Sequence, residues 1–441
     1  MTDSSQHAKP STPKILIVGG GAGGLELATI LGQKLGKPQQ AEITLFDPNR
    51  VHLWKPLLHE VVAGSLDTGA EALSYRAHSA ENHYYFRMGA MSGLDLEHKQ
   101  IIVAPLLDHH GKQILAERRV DYDILVMALG AHSNDFGIEG VNEYCFTLDT
   151  AQQAEDFHLS FLNRFLQFSE VAKPKDSVHI AIVGAGATGV ELSAELYNAV
   201  DRLEQFGVDK VHHQSLKVTL IEAAPRILPA LPETLALKAQ KTLIDLGVKV
   251  LTEKAVSAIE AQTLITPEGE MKADLLVWAA GIKAPVFLST LGLPTNRINQ
   301  LEVDFSLRVK AHADIFAIGD CAFLVGENTD DRPVPPTAQA AHQMAATCAH
   351  NIIATLNNQP NQPFKYRDHG ALVSLSRFQT LGNLLDQLFN KHWMVEGKLA
   401  HWAYASLYRQ HQLALHGYWK TAWILLGSVI AKRIKPKLKL Y

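Results

Sequence analysis

Short uninterrupted apolar runs, each followed by a glycine-rich turn and then by helical periodicity, mark two places in the chain. Lys14-Ile15-Leu16-Ile17-Val18 is the first such run, and it predicts a strand buried on both faces, as in a parallel sheet. A helix is predicted through Leu25–Leu35, and a second strand over Ile43–Phe46 ends in Asp47. The same order returns as a strand over Val178–Val183, a turn at Gly184–Gly189, a helix from Val190 and a strand over Lys217–Ile221 ending in Glu222. Two such openings, 165 residues apart from Gly19 to Gly184, predict an α/β fold with two doubly wound units. Val325–Pro336, rich in Asp, Asn and Pro, is linker-like, and from about Phe364 the pattern changes to aromatic-rich segments that end in a basic tail.

The turns carry the first chemistry. Gly19-Gly20-Gly21-Ala22-Gly23-Gly24 is a Gly-x-Gly-x-x-Gly motif between strand and helix. Gly19 permits the tight turn, Gly21 lets backbone approach a pyrophosphate at the helix N-terminus, and Gly24 lets helix and strand pack closely. Asp47 ends the next strand, where a carboxylate accepts hydrogen bonds from a ribose diol. The second motif is Gly184-Ala185-Gly186-Ala187-Thr188-Gly189, and its acid, Glu222, follows 33 residues after Gly189. The polar stretch Asp201–Ser215 accounts for that delay as an insertion. A carboxylate at this strand end favours NADH, because it repels a 2′-phosphate, although Arg226 close by works against that preference. Both units are therefore read as Rossmann-like dinucleotide-binding folds.

Net charge is −4 overall, which argues against a general nucleic-acid binder, but its distribution is uneven. Gly397–Tyr441 holds eight Lys or Arg and no Asp or Glu, so the tail carries +8 and residues 1–396 carry −12. That asymmetry suggests that one end meets an anionic surface. Three separated cysteines, Cys145, Cys321 and Cys348, suit a reducing compartment. Residues 1–14 contain no apolar core of a secretory signal, and the expectation is a protein kept in the cytoplasm. The pairs His109-His110 and His212-His213 lie in polar stretches without a Cys/His cluster, so no metal site is expected.

With both motifs in place, the chain resembles the two-dinucleotide-binding-domain flavoproteins, which hold FAD in the first fold and NAD(P)H in the second. Asp123–Gly130 resembles the strand and turn that return to the FAD domain, Asp274–Gly281 its counterpart in the NADH domain, and Ile315–Asp320 the second FAD segment. His52-Leu53-Trp54-Lys55-Pro56-Leu57-Leu58-His59-Glu60 and Pro335-Pro336-Thr337-Ala338-Gln339-Ala340-Ala341-His342-Gln343 are similar to segments of the bacterial type II NADH:quinone oxidoreductases. One position departs from that pattern: bacterial relatives carry Arg where this chain has Thr337, which leaves the polarity of the quinone site open. The resemblance implies non-covalent FAD contacts at Gly19, Gly21, Ala22, Gly23, Gly24, Asp47, Lys55, Ala128, Gly130, Gly319, Asp320 and Ala338. It implies NADH contacts at Gly184, Gly186, Thr188, Gly189, Glu222, Ala280 and Gly281. The reaction it implies carries a hydride from NADH to flavin and then reduces a lipid quinone, ubiquinone or menaquinone, without proton pumping.

Two residues are assigned to that chemistry by the resemblance. Glu191 would face the flavin–nicotinamide contact, orienting the nicotinamide or modulating the flavin; the plain alternative is a carboxylate that only favours the helix dipole. Gln339 would donate its amide to a quinone carbonyl. His342 has a ring suited to proton transfer, but among 21 histidines it also reads as a bystander.

The implied organisation is a disordered start over 1–13, an FAD-binding part over 14–150, an NADH-binding domain over 151–285, a second FAD part over 286–360 and a membrane-anchoring region over 361–441. In the tail Trp419, Trp423, Leu426, Ile430 and Ile434 recur at helical spacing beside Lys432, Arg433, Lys435, Lys437 and Lys439. The uncharged run Thr421–Ala431, 11 residues, is too short to span a bilayer and suits shallow insertion at an anionic leaflet. The alternative is a dimer-interface helix, and a homodimer pairing such ends would satisfy both. These features imply a peripheral protein on the cytoplasmic face of the inner membrane. Competing functions are a sulfide:quinone oxidoreductase, which needs redox cysteines at the flavin, and a redox sensor that binds NADH and FAD without quinone turnover.

Overall fold

The computed structural model describes residues 12–66, 68–171, 176–325, 332–376, 379–386, 391–396 and 398–434. Nine strands build two parallel sheets: β1 (Lys14–Val18), β2 (Glu42–Asp47), β3 (Tyr85–Met88), β4 (Ile124–Met127), β5 (Val178–Val183), β6 (Leu216–Ile221), β7 (Lys249–Leu251), β8 (Leu275–Trp278) and β9 (Ile315–Ala317). The helices used below are α1 (Ala22–Leu31), α2 (Leu58–Val62), α3 (Ala151–Val171), α4 (Ala187–Gln205), α5 (Ala338–Leu356) and α6 (Lys398–Ile434).

The chain divides into two units. The first comprises residues 1–52, 73–130 and 284–366, and its sheet runs β9-β4-β1-β2-β3 with every pair parallel. Its central strands β1 and β4 are apolar beyond Lys14 because both faces are covered: Ile15 and Ile17 are fully buried, and Leu16 and Val18, which point the other way, are buried too. α1 packs on α5, and a glycine at position 23 keeps the helices close, since an added Cβ would lie 3.1 Å from the Ala341 carbonyl oxygen.

The second unit comprises residues 53–72, 131–283 and 367–441, with the parallel sheet β7-β6-β5-β8. Residues 53–72 and 131–150 therefore cluster with the second unit, where sequence boundaries placed them in the first. The reason is packing: Leu58, Val61 and Val62 of α2 share one core with Val190, Leu196 and the Phe157, Phe161 and Phe165 face of α3. These phenylalanines recur every four residues, so α3 presents one aromatic stripe to the core. An antiparallel sheet, Gly370–Leu375, Gln379–Asp386 and Lys391–Glu396, precedes α6. Gly417 breaks α6 into two helices, with φ 70° and ψ 176°.

Candidate functional site

The first glycine motif is built by steric necessity. Gly19 sits at φ +103°, and a Cβ there would meet the Ala128 carbonyl oxygen at 2.2 Å. A Cβ on Gly24 would lie 1.9 Å from the Gly19 oxygen, so the helix can rest on the turn only without one. Gly21 is different: no atom lies within 4 Å of its would-be Cβ, and it begins α1, at Ala22, with no side-chain cap. Unpaired helix N–H groups facing open space suit a phosphate. Asp47 ends β2, buried, and takes the Gly20 N–H at 2.7 Å and the Asn49 N–H at 2.8 Å. Burial raises its pKa against the pull of those hydrogen bonds.

The second motif repeats this geometry. Gly184 has φ +102°, a Cβ on Gly189 would lie 2.0 Å from the Gly184 oxygen, and Gly186 faces open space at the uncapped start of α4, which holds Thr188 in its first turn. Glu222 takes the Ala185 N–H at 2.7 Å and the Ala224 N–H at 2.9 Å, as Asp47 does in the first unit. Arg226 is committed elsewhere: its guanidinium donates to the carbonyls of Leu228, Pro229 and Leu231 at 3.2, 2.9 and 3.0 Å. Proximity in sequence thus overstated its hold on a 2′-phosphate.

The remaining positions fall into the two units separately. In the first, Ala128 and Gly130 follow β4, with Gly130 at φ +69°. Gly319, at φ +71°, gives its N–H to the Met344 sulfur, and the Asp320 carbonyl accepts from Gln300 Nε2 at 2.8 Å. Thr337 caps α5 by accepting the Ala340 N–H at 3.2 Å, which gives this residue a local task that an arginine would not perform. Ala338 opens the helix, and the Gln339 amide lies 3.4 Å from the Tyr366 hydroxyl. His342, one turn on, is paired with buried Glu26 of α1, and that carboxylate holds the imidazole pKa above its ordinary value.

In the second unit, Ala280 and Gly281 follow β8, with Gly281 at φ +60°. Lys55 gives its ammonium to the Ala131 carbonyl at 2.8 Å and lies 3.4 Å from Asp149, which also takes the Ser133 N–H at 2.9 Å. Lys55 is thus occupied by protein groups of the second unit. Glu191 is only 6% exposed. Its carboxylate accepts the Ser374 N–H at 3.0 Å and lies 3.5 Å from His59 Nδ1. A role confined to the helix dipole does not require such burial.

Sequence reasoning missed Asp149, Glu26 and His59. Their partners lie 16 to 316 residues away, and even His59, inside the His52–Glu60 segment, carries no spacing that names its partner. Among the described residues no group of three or more His, Cys, Asp or Glu is arranged to hold a metal ion. Cys321 is buried, and burial pushes its thiol up to about 12, as it does Cys145. Thiols held so far from ionisation are poor sulfur-transfer groups. No described helix is long and apolar enough to cross a membrane. On the part of α6 after Gly417, Trp419 and Trp423 are 84% and 71% exposed and Leu426 is exposed; the side chains of Ile430, Ile434, Lys432 and Arg433, and residues 435–441, lie outside the described set.

Comparison with known proteins agrees with this geometry. The pyridine nucleotide-disulphide oxidoreductase family matches residues 13–345. The chain is 46% identical to a type II NADH:quinone oxidoreductase of Haemophilus influenzae, across 97% of this chain and 99% of that protein. It is 32% identical to the Staphylococcus aureus protein of the same name, across 85% and 90%. The fold is shared with NDH2 of Plasmodium falciparum solved in complex with NADH (TM-score 0.79, 20% identity, 97% and 100% coverage). It is shared less closely with the sulfide:quinone oxidoreductase of Aquifex aeolicus (TM-score 0.70, 18% identity, 96% of each chain). Identity of this extent along nearly the whole chain, on two glycine-turn folds each closed by a carboxylate, makes this protein a member of the type II NADH:quinone oxidoreductases, within the pyridine nucleotide-disulphide oxidoreductase family.

Proposed function

We propose that this chain oxidises NADH and reduces a membrane quinone through a non-covalently bound FAD, without pumping protons. The observation that carries the reading is the duplicated cradle, in a chain of this family: two uncapped helix N-termini, each opening at a glycine with free space around it and each backed by a strand-end carboxylate. The flavin supplies the redox chemistry, accepting a hydride from the nicotinamide and returning two electrons to the quinone.

The protein's part is to hold and orient. N–H groups at the start of α1 take the FAD diphosphate, and those at the start of α4 take that of NADH. Asp47 and Glu222 fix their turns through backbone N–H groups and keep acceptor capacity for a ribose. Arg226, bound to three carbonyls, does not offset the repulsion of Glu222 for a 2′-phosphate, which favours NADH over NADPH. Gln339 presents its amide to a quinone carbonyl. Glu191 orients the nicotinamide or adjusts the flavin. Tail residues Trp419, Trp423 and Leu426, next to a basic cluster, rest on the anionic cytoplasmic face of the inner membrane, where a homodimer would present two such ends.

The test is anaerobic. Purified yellow protein mixed with NADH should bleach, much less so with NADPH or sulfide, and a short-chain quinone should restore the colour. Bleaching by sulfide instead would hand the chain to the sulfide:quinone reading. Bleaching that quinone does not reverse would make it a sensor.

A further inference from the structure

The two cradles differ in how they hold one carbonyl. In both, the N–H of the second motif residue goes to the strand-end acid, Gly20 to Asp47 and Ala185 to Glu222, each at 2.7 Å. The Ala185 carbonyl accepts a backbone N–H, from Leu228 at 2.8 Å. The Gly20 carbonyl accepts two side chains instead, the Tyr75 hydroxyl at 2.7 Å and His52 Nδ1 at 3.0 Å. A carbonyl oxygen only accepts, so this imidazole carries its hydrogen on Nδ1.

Local structure brings the two donors together. Val51–His52 pairs antiparallel with Leu73–Ser74, and a helix over Tyr75–Glu81 starts where that ribbon ends. Both rings are buried. They meet edge to face with centroids 6.2 Å apart, and Phe86 stacks on Tyr75 at 5.0 Å, so the tyrosine is wedged between two rings. Burial, and after it the charge of Asp47, hold the Tyr75 hydroxyl well above its ordinary pKa, and it stays a donor. The approach of this side chain also accounts for a difference between the motifs. A Cβ on Gly20 would lie 2.5 Å from the Tyr75 hydroxyl oxygen, whereas position 185, served by a main-chain donor, carries Ala.

A trans peptide unit points its C=O and N–H in opposite directions. Donors that hold the Gly20 oxygen therefore set the direction of the Gly21 N–H, at the uncapped end of α1. Turned over, the same unit would present a carbonyl where an anion needs a donor. The two bonds also polarise the unit, since linked hydrogen bonds strengthen one another by about 10–30% each. A resident flavin must stay through every turnover, and a nicotinamide must leave after each. We propose that His52 and Tyr75 are positioning residues that make the first cradle retain its nucleotide, while the second, whose matching carbonyl takes the Leu228 N–H, lets its nucleotide exchange. The inference rests on the assignment of FAD to the first cradle and NADH to the second.

Flavin-loaded wild type, Y75F, H52F and H52N are each diluted, and FAD release is followed by the rise in flavin fluorescence. Y75F keeps the ring and loses one donor; H52N offers an amide N–H in place of Nδ1–H, and H52F offers none. We expect release to quicken about tenfold in Y75F and in H52F, and to return to within about threefold of wild type in H52N. The phosphorus NMR signal of bound FAD should shift in Y75F with the visible flavin band unmoved, a signature that general loosening of the fold does not give. Affinity for NAD⁺, measured by equilibrium dialysis, should stay within about twofold. Unchanged FAD release in Y75F and H52F, an unmoved phosphorus signal in Y75F, or equal weakening of FAD and NAD⁺ would overturn the clamp. If H52F does not fold or holds no flavin, Y75F and H52N decide by the same measurements. Wild type that releases FAD as readily as NAD⁺ would refute retention, and wild type that takes up no FAD would instead remove the assignment on which the clamp depends.

Discussion

Gln339 occupies the second position of α5, directly after the residue that opens the helix and two after its Thr337 cap. Its amide lies 3.4 Å from the Tyr366 hydroxyl, longer than a short hydrogen bond. Replacing Gln339 by Ala removes the donor and leaves the helix start intact, because the cap is Thr337 and Ala is a good helix former. We expect quinone KM to rise about tenfold, the worth of one hydrogen bond of about 1.4 kcal/mol, while bleaching by NADH is unaltered. An equal loss in the NADH half-reaction would take Gln339 away from the quinone. Single residues were legible in the sequence where the backbone alone demands them: Gly19 and Gly184, both near φ +100°, follow from the motif, and so do Asp47 and Glu222 at their strand ends. Residues defined by distant partners were not, as Glu26 with His342 and His59 with Glu191 show.

Elements follow the same division. β5 and β1 begin and end where their predicted runs do, and β2 and β6 match theirs within one residue, because a strand buried on both faces is mostly apolar and stops at the turn that follows it. The first helix was read over residues that are all helical, but not its change of winding: α1 runs from Ala22 to Leu31 and passes into a π turn over Gly32–Gly36. Cβ atoms on Gly32 and Gly36 would each lie 2.0 Å from a carbonyl oxygen, of Asn82 and His83, so the turn exists to admit another segment. The sheet over residues 370–396 left little trace, since Gln379–Asp386 carries Gly382 and Asn383 and shows no clean alternation. The helical spacing of the tail was legible, but the break of that helix at Gly417 was not. Beyond that break the buried Thr421 hydroxyl donates to the Gln412 carbonyl at 3.2 Å, fastening the start of the last segment. A chain ended after Thr421 keeps that bond and loses Trp423, Leu426 and the last five basic residues. It should retain flavin and bleach with NADH, yet remain in the supernatant when sedimented with anionic vesicles; co-sedimentation undiminished from the full chain would move the anchor elsewhere.

Charge gives the whole molecule a direction that its total of −4 conceals, since the last 45 residues carry +8 and the preceding 396 carry −12. Each Lys or Arg close to an anionic leaflet contributes about 1 kcal/mol, and that contribution decays within a Debye length, about 10 Å at 0.1 M salt and about 3 Å at 1 M. Burying the apolar faces of Trp419, Trp423 and Leu426 adds about 1.5–3 kcal/mol apiece, which salt does not screen. Affinity for anionic vesicles is therefore expected to fall by at least about 100-fold between 0.1 M and 1 M salt, the loss of a few kcal/mol of screened attraction. Affinity for neutral vesicles should be weak and nearly constant over the same range, because only the apolar part remains there. Bleaching by NADH in solution should stay within about twofold, since the cradles rest on backbone N–H groups inside the fold and not on the tail. Binding to anionic vesicles that ignores salt would leave the basic cluster without a role at the surface and assign the attachment to the tryptophan face alone.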